Sequence, residues 1–252
     1  MMNITSTSLS FSNGRGQALS ALLEMPEDAW AYGVFAPCFT CTKESHGAYK
    51  ICRALANKGI AMLRFDMTGL GQSEGDFAQT NFTTRIADIV AAAGAQTETP
   101  VLLVGHSISG VACIAAALQL PSVKLVATVG SPADPRHVVE KLTELGRITI
   151  TGDKAEMLIA GRTVVADKSF IDDARTNDMT ERTAASGKLL IFHAPNDNIV
   201  GFGNAEKIQA RAGKNAEIIP LGESTSHLLE RGTEDANLIA AIIAEKLKLE
   251  IA

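Results

Sequence analysis

The stretch that decides the fold is residues 101–112, VLLVGHSISGVA. A short apolar run ends in Gly105, Ser107 follows, and small residues at helical spacing begin at once. This order of strand, sharp turn with a serine, and helix is typical of a nucleophile elbow, in which small neighbours allow a strained backbone at the serine. The usual motif is Gly-x-Ser-x-Gly, and Ser109 stands at its last position here. The motif alone therefore does not establish a serine hydrolase.

The composition of the chain sets its general class. With 252 residues, of which 46% are apolar, the chain can bury a sizeable core, and we treat residues 1–252 as one α/β domain. A formal net charge of −5 argues against nucleic acid or an anionic membrane as the main partner. Because there is no basic and apolar leader and no run long enough to span a bilayer, we expect a cytoplasmic protein. The oligomeric state leaves no signal in the sequence.

Strands and helices alternate along most of the chain. Apolar strands are predicted at 31–36, 60–65, 100–106, 123–129, 188–192 and 216–219, and helices at 48–57, 81–95, 108–120, 205–212 and 235–249. Asn13-Gly14 predicts the turn of an N-terminal hairpin. The pattern predicts an α/β fold with a mostly parallel sheet of about eight strands, connected by right-handed crossovers, with helices on both faces.

Residues 131–187 interrupt this alternation. A helix is predicted at 137–145 and a hairpin from 147–151 and 157–165, with denser charge than in the core strands. The segment is too short for an independent domain. We interpret it as a small lid over the carboxyl ends of the strands, where reactive groups gather in parallel sheets.

Ser107 requires a neighbouring base, and that base requires an orienting acid. After an elbow of this kind the chain order is serine, acid, histidine. Three histidines follow Ser107. His227 lies just after a strand and before the last helix, whereas His193 precedes Ala-Pro at a strand end and His137 belongs to the insertion. We therefore expect His227 to be the base.

The acid has two candidates. Asp197 follows the strand before the one that leads to His227, and the two residues are 30 positions apart, which leaves room for one helix and one strand. Asp134, after the strand that follows the elbow helix, also occupies a usable position. We favour Asp197 because its strand is predicted to adjoin that of His227.

Acyl transfer also needs N–H donors for the developing oxyanion. Ile108 supplies the N–H after the serine, and the 37–41 loop supplies the second. Since Pro37 has no N–H, Phe39 is the candidate, with Cys38 as the second choice. The glycine-rich loop at 69–76 matches neither the P-loop nor the dinucleotide fingerprint, so we expect no cofactor.

Cys38 and Cys41 form a lone C-x-x-C. Without a second pair or histidines at ligand spacing we expect no metal. We expect reduced thiols in a loop. A reversible disulfide, or a thiol redox role, is the weaker alternative.

Several of these segments together resemble a subfamily of α/β-hydrolases: residues 37–41 (PCFTC), residues 63–77 (LRFDMTGLGQSEGDF), the elbow, and the Asp197 and His227 loops. Its members resemble serine aminopeptidase-type hydrolases and are often fused to an OsmC-like peroxidase domain, which we expect to be absent here. The resemblance spans nearly the whole chain and implies Ser107 as nucleophile, Asp197 as acid and His227 as base. Pro37 stands where relatives tend to have histidine, and Ser109 replaces the elbow glycine, so both departures bear on the oxyanion geometry.

The expected function is a cofactor-free serine hydrolase that acts on a small or medium carboxylic ester or thioester, with a small-molecule acyl compound as its partner. Two alternatives stay open. A peptidase or amidase could use the same triad, although no acidic cluster is evident for a substrate amine. A hydrolase-fold protein could also bind a ligand with little or no turnover, since a fold does not fix a function.

Overall fold

The computed structural model describes residues 3–95, 98–159, 161–223, 225–227 and 233–251. Its main feature is an eight-stranded sheet with the order β1-β2-β4-β3-β5-β6-β10-β11. The strands are β1 (Ile4–Ser12), β2 (Ala18–Pro26), β3 (Ala31–Ala36), β4 (Ile60–Phe65), β5 (Leu102–His106), β6 (Leu125–Val129), β10 (Lys188–His193) and β11 (Ala216–Pro220). In this order the last six strands, β4 to β11, run parallel to one another, whereas β1 pairs antiparallel with β2 and β2 pairs antiparallel with β4. The predicted mostly parallel sheet is confirmed.

Helices cover both faces of this sheet. The helices are α1 (His46–Ala56), α2 (Phe82–Gly94), α3 (Ile108–Ala117), α4 (Arg136–Glu144), α5 (Lys168–Thr176), α6 (Thr180–Ala184), α7 (Gly203–Ala212) and α8 (Thr233–Ile251). One apolar cluster joins α1 and α8 to one face, and another joins α2, α3 and α7 to the other. Because each face is covered, the central strands are buried along their whole length, as parallel sheets require.

Local sequence explains where α2 begins. Asn81 accepts a hydrogen bond from the Thr84 N–H, and the Thr84 hydroxyl accepts one from the Asn81 N–H. This capping box satisfies two of the N–H groups that a helix start leaves unpaired. It fixes the position of α2, whose buried face passes behind the 37–41 loop.

The 131–187 segment has more structure than the sequence predicts. Instead of a hairpin it forms a three-stranded antiparallel sheet of β7 (Ile148–Thr151), β8 (Lys154–Ile159) and β9 (Arg162–Asp167), followed by α5 and α6. The predicted strand 157–165 is wrong because Gly161, with φ +77°, turns the chain between β8 and β9. Ala160, within that prediction, lies outside the described residues.

Six parallel strands end at one edge of the sheet. The chain leaves β5 at Ser107, β6 at Gly130, β10 toward Asp197 and β11 toward His227. The 37–41 loop leaves β3 at the same edge. Within the described ranges, no helix combines the length and apolar character needed to cross a membrane.

Candidate active site

Ser107 occupies a strained turn between β5 and α3. Its φ is +57°, the only positive φ among the described non-glycine residues, and such strain persists where the surroundings impose it. A Cβ on Gly105 would lie 2.3 Å from the Ser109 carbonyl oxygen, and one on Gly110 would lie 2.6 Å from Ser131 Oγ. The close approach therefore needs glycine at 105 and 110, and position 109 tolerates a serine.

The structure brings together the three residues predicted as a triad. His227 Nε2 lies 3.0 Å from Ser107 Oγ, and His227 Nδ1 lies 2.8 Å from Asp197 Oδ2. Since a carboxylate only accepts, Nδ1 donates to Asp197, which leaves Nε2 free to accept the serine proton. All three side chains are buried, and Ser107 is 8% exposed.

The environment of Asp197 keeps it ionised. Burial alone raises the pKa of this carboxyl, but hydrogen bonds from His227 and from the N–H groups of Val200 and Ile199 lower it below its ordinary value overall. The backbone donors bind Oδ1, so Oδ2 is held toward His227. The carboxylate can thus orient the imidazole and stabilise its protonated form.

Two further buried histidines support the loops around this site. His106 Nε2 donates to the His227 carbonyl oxygen at 2.8 Å. Burial, together with the nearby His227 ring, lowers the pKa of His106 to about 4, so it is neutral at pH 7. His193 Nε2 donates to the Val200 carbonyl oxygen at 2.7 Å, and burial lowers its pKa as well. Sequence reasoning left His106 without a role, although it sits between the elbow glycine and serine.

Asp134, the competing acid, has different partners. Its carboxylate lies 2.8 Å from Arg211 Nη2 and accepts from the Met179 N–H at 3.2 Å. These contacts join β6, α6 and α7 and hold the end of the 131–187 segment. Of the two candidate acids, the structure places Asp197 against His227.

The 37–41 loop is closed by a disulfide between Cys38 and Cys41, with a Cα–Cα distance of 5.1 Å. The expectation of reduced thiols is therefore wrong in this structure. The reason is geometric, because the Cys41 N–H bonds back to the Cys38 carbonyl and the resulting turn brings the two thiols together. The bridge spans Phe39, the predicted second oxyanion donor.

Neither N–H group predicted as an oxyanion donor has a hydrogen-bond partner within the described residues. Ile108 is the first residue of α3, so its N–H has no partner within the helix. The Phe39 N–H makes no hydrogen bond within the described part of the chain. The Phe39 ring packs against Phe170 of α5, with centroids 5.0 Å apart, and against Phe77 at 5.6 Å.

An arginine that the sequence reading missed lies behind this loop. Arg85 donates to the Phe39 carbonyl and to Ser109 Oγ, both at 2.8 Å. Ser109 in turn donates to the Pro37 carbonyl. The sequence does contain a signal that Arg85 is buried. It lies three residues after Phe82 and therefore on the apolar face of α2.

An apolar cavity of about 330 Å³ opens beside Ser107. The 37–41 loop, α4, the 131–187 sheet and the Asp197 loop line it, with apolar walls from Val138, Leu142, Leu145, Leu158, Ile159, Ile199 and Val200. Its charged lining residues, among those described, are Lys141 and Arg147, with His137 beside them. The cavity can take an apolar group next to a reactive serine.

A family model described as serine aminopeptidase, S33, matches residues 41–156. The esterase domain of a Rhodothermus marinus protein is 34% identical over 98% of this chain and 100% of that one, with a TM-score of 0.80. The chain belongs to the α/β-hydrolase superfamily. That relative is described as an esterase domain. The predicted α/β-hydrolase fold and the predicted resemblance to this superfamily are both confirmed.

More distant structures share the fold alone. Est1E from Butyrivibrio proteoclasticus, solved with ferulic acid bound, is 19% identical, with coverage of 96% of this chain and 99% of that one and a TM-score of 0.79. Mouse alpha/beta hydrolase domain-containing protein 10 is 17% identical, with coverage of 96% and 99% and a TM-score of 0.78. No curated protein matches the chain.

Proposed function

We propose that this α/β-hydrolase is a serine esterase that cleaves small or medium carboxylic esters or thioesters with an apolar acyl group. The observation that carries the proposal is the hydrogen-bonded series Ser107–His227–Asp197 at the edge of the apolar cavity. The esterase domain of the Rhodothermus marinus protein supports the same reaction class. We further propose the N–H groups of Ile108 and Phe39 as the oxyanion donors.

The reaction follows from this arrangement. Ser107 Oγ bonds to the acyl carbon while its proton passes to His227 Nε2, and the carbonyl oxygen becomes an oxyanion. The bond to the alcohol or thiol then breaks, and His227 returns the proton to that leaving group. Water attacks the acyl-enzyme by the same route, with His227 again as base, and the free acid leaves.

The cavity favours an ester over a peptide with a free amine. A substrate ammonium group needs a carboxylate partner, because a buried charge without one is costly. Among its described lining residues the cavity has no Asp or Glu, and its charges are cationic. Apolar walls instead suit an acyl chain, with about 0.8 kcal/mol gained for each methylene removed from water.

A fluorophosphonate probe and a panel of p-nitrophenyl acyl esters test the proposal. We expect stoichiometric labelling and ester turnover, and a loss on the order of 10⁴-fold in kcat for Ser107→Ala and His227→Ala. Ser122→Ala is the matched control, since its hydroxyl bonds the Pro100 carbonyl at the far end of β5. Unlabelled wild type, or undiminished labelling of Ser107→Ala, overturns the proposal and favours a binding protein of the same fold.

A further inference from the structure

Two buried side chains bind the carbonyl groups of the 37–41 loop. Ser109 Oγ donates to the Pro37 carbonyl. Arg85 donates to Ser109 Oγ through Nη1 and to the Phe39 carbonyl through Nη2, each at 2.8 Å. Ser109 is fully buried and Arg85 is 6% exposed, so these hydrogen bonds are shielded from water and correspondingly strong.

Together with one backbone hydrogen bond, these contacts give a partner to each carbonyl group of residues 37 to 39. The Cys38 carbonyl accepts from the Cys41 N–H at 3.3 Å, so the carbonyl groups of residues 37, 38 and 39 are all held. Each peptide unit is planar. The Phe39 N–H shares its plane with the Cys38 carbonyl and lies between two planes fixed by Ser109 and Arg85. Its direction is therefore determined.

Burying the charged guanidinium of Arg85 without a carboxylate partner costs folding free energy. No carboxylate lies within ion-pair distance of its guanidinium in the described part of the chain. Burial lowers the pKa of Arg85 to about 10, so it still carries its charge at pH 7. Places where a sequence breaks a local rule in this way are commonly functional sites.

We propose that Ser109 and Arg85 are positioning residues for ester hydrolysis, which hold the Phe39 N–H toward the oxyanion of the transition state. The inference rests on the function proposed above and goes beyond it, because neither side chain touches the substrate. It also assigns a role to the serine that replaces the elbow glycine. Ser109 connects the first residues of α3 directly to the loop that carries the second donor.

The test measures kcat and KM for Ser109→Ala, Arg85→Met and Arg85→Lys. The amount of active enzyme is fixed in each case by fluorophosphonate labelling to completion. We expect kcat per labelled site to fall about 10-fold in Ser109→Ala and about 100-fold in Arg85→Met, which does not exceed the loss of about 100- to 1,000-fold for deleting a donor outright. KM should change less than about twofold, and Arg85→Lys should recover part of the loss because it keeps a cation.

A second readout separates positioning from a purely structural role. Affinity for a trifluoromethyl ketone, which forms a tetrahedral adduct with the serine, should fall in parallel with kcat/KM. Because both residues act on one loop, the Ser109→Ala/Arg85→Met pair should lose less than the product of the single losses. Ile89→Val is the matched control, since Ile89 is buried on the same helix and its apolar side chain cannot hydrogen-bond to the loop. It should lower Tm and leave kcat per site unchanged.

The outcomes are distinct. If the variants lose Tm or labelled fraction while kcat per site and ketone affinity stay at the wild-type values, the inference is overturned and the proposed function stands. If the wild type itself turns over no ester, the proposed function fails first. Should Arg85→Met not fold, Ser109→Ala and Arg85→Lys decide the question alone, since each is a smaller change.

Discussion

At the scale of single residues, the site depends on a glycine that is packed so closely against the catalytic pair that a larger side chain would not fit. Gly130, at the end of β6, has φ +55°, and a Cβ there would lie 3.3 Å from both Asp197 Oδ2 and His227 Nδ1. The glycine therefore allows the imidazole and carboxylate to meet at 2.8 Å. No motif marks this position, because its importance comes from residues that are about 70 to 100 positions away in the chain.

We expect Gly130→Ala to lower kcat at least 10-fold because the new methyl group displaces His227 from Asp197. The left-handed backbone adds a stability cost of about 1 kcal/mol. Gly213→Ala is the control, since Gly213 has φ +59° with nothing within 4 Å of its added Cβ. Steady-state kinetics and urea unfolding of both variants check the prediction. Equal kcat in the two would mean that the methyl group does not disturb the pair.

At the scale of elements, the strand–helix alternation was predictable and the loop chemistry was not. Each core strand reads as a short apolar run, and Asn81 marks the start of α2, so these elements follow from local sequence. The order Ser107, Asp197, His227 also follows, because parallel strands deliver their ends to one edge. The disulfide and the Arg85 contacts depend on how close α2, α3 and the 37–41 loop lie, which no local pattern encodes.

The disulfide that closes the 37–41 loop can be tested by counting the thiols that react before and after reduction. Cys52 and Cys113 are free but buried, and burial raises the pKa of both thiols, so they should not react in the native state. We expect iodoacetamide to add nothing to the native protein and two groups after mild reduction, as read by intact mass. Two adducts without reductant would mean that the thiols are not paired.

Loss of the disulfide should lower the stability of the protein. Closing so short a loop contributes roughly 2 kcal/mol in the chain-entropy model, so Cys38→Ser/Cys41→Ser should be less stable by up to that amount in urea. We expect kcat to fall only about two- to fivefold, because Arg85 and Ser109 still hold the carbonyl groups of residues 37 and 39. Cys52→Ala serves as the control for removing a buried sulfur, with kcat unchanged.

At the scale of the whole molecule, the 131–187 segment and the main sheet complete one site between them. Phe170 of α5 packs on Phe39, and Asp173 accepts from both the N–H and the hydroxyl of Thr83 at the start of α2. The segment is thereby tied to the two elements that support the predicted oxyanion donor. Sequence reasoning placed a lid here and underestimated its sheet, since short polar strands with one buried face give a weak pattern.

The cavity wall contributed by α4 provides the last prediction. Leu142 is buried and lines the cavity, while Val139, also buried on α4, does not. We expect kcat/KM of the wild type to rise about fourfold per acyl methylene, as 0.8 kcal/mol implies, until the cavity of about 330 Å³ is full.

Leu142→Ala should move that optimum to longer acyl chains, because it removes side-chain atoms where the chain would end. Val139→Ala should cost similar stability, about 1 to 3 kcal/mol, and leave the chain-length profile unchanged. Kinetics on p-nitrophenyl esters from acetate to decanoate decide between them. If both variants keep the wild-type profile, the acyl group does not lie against α4, and the alcohol side of the ester becomes the better occupant of this cavity.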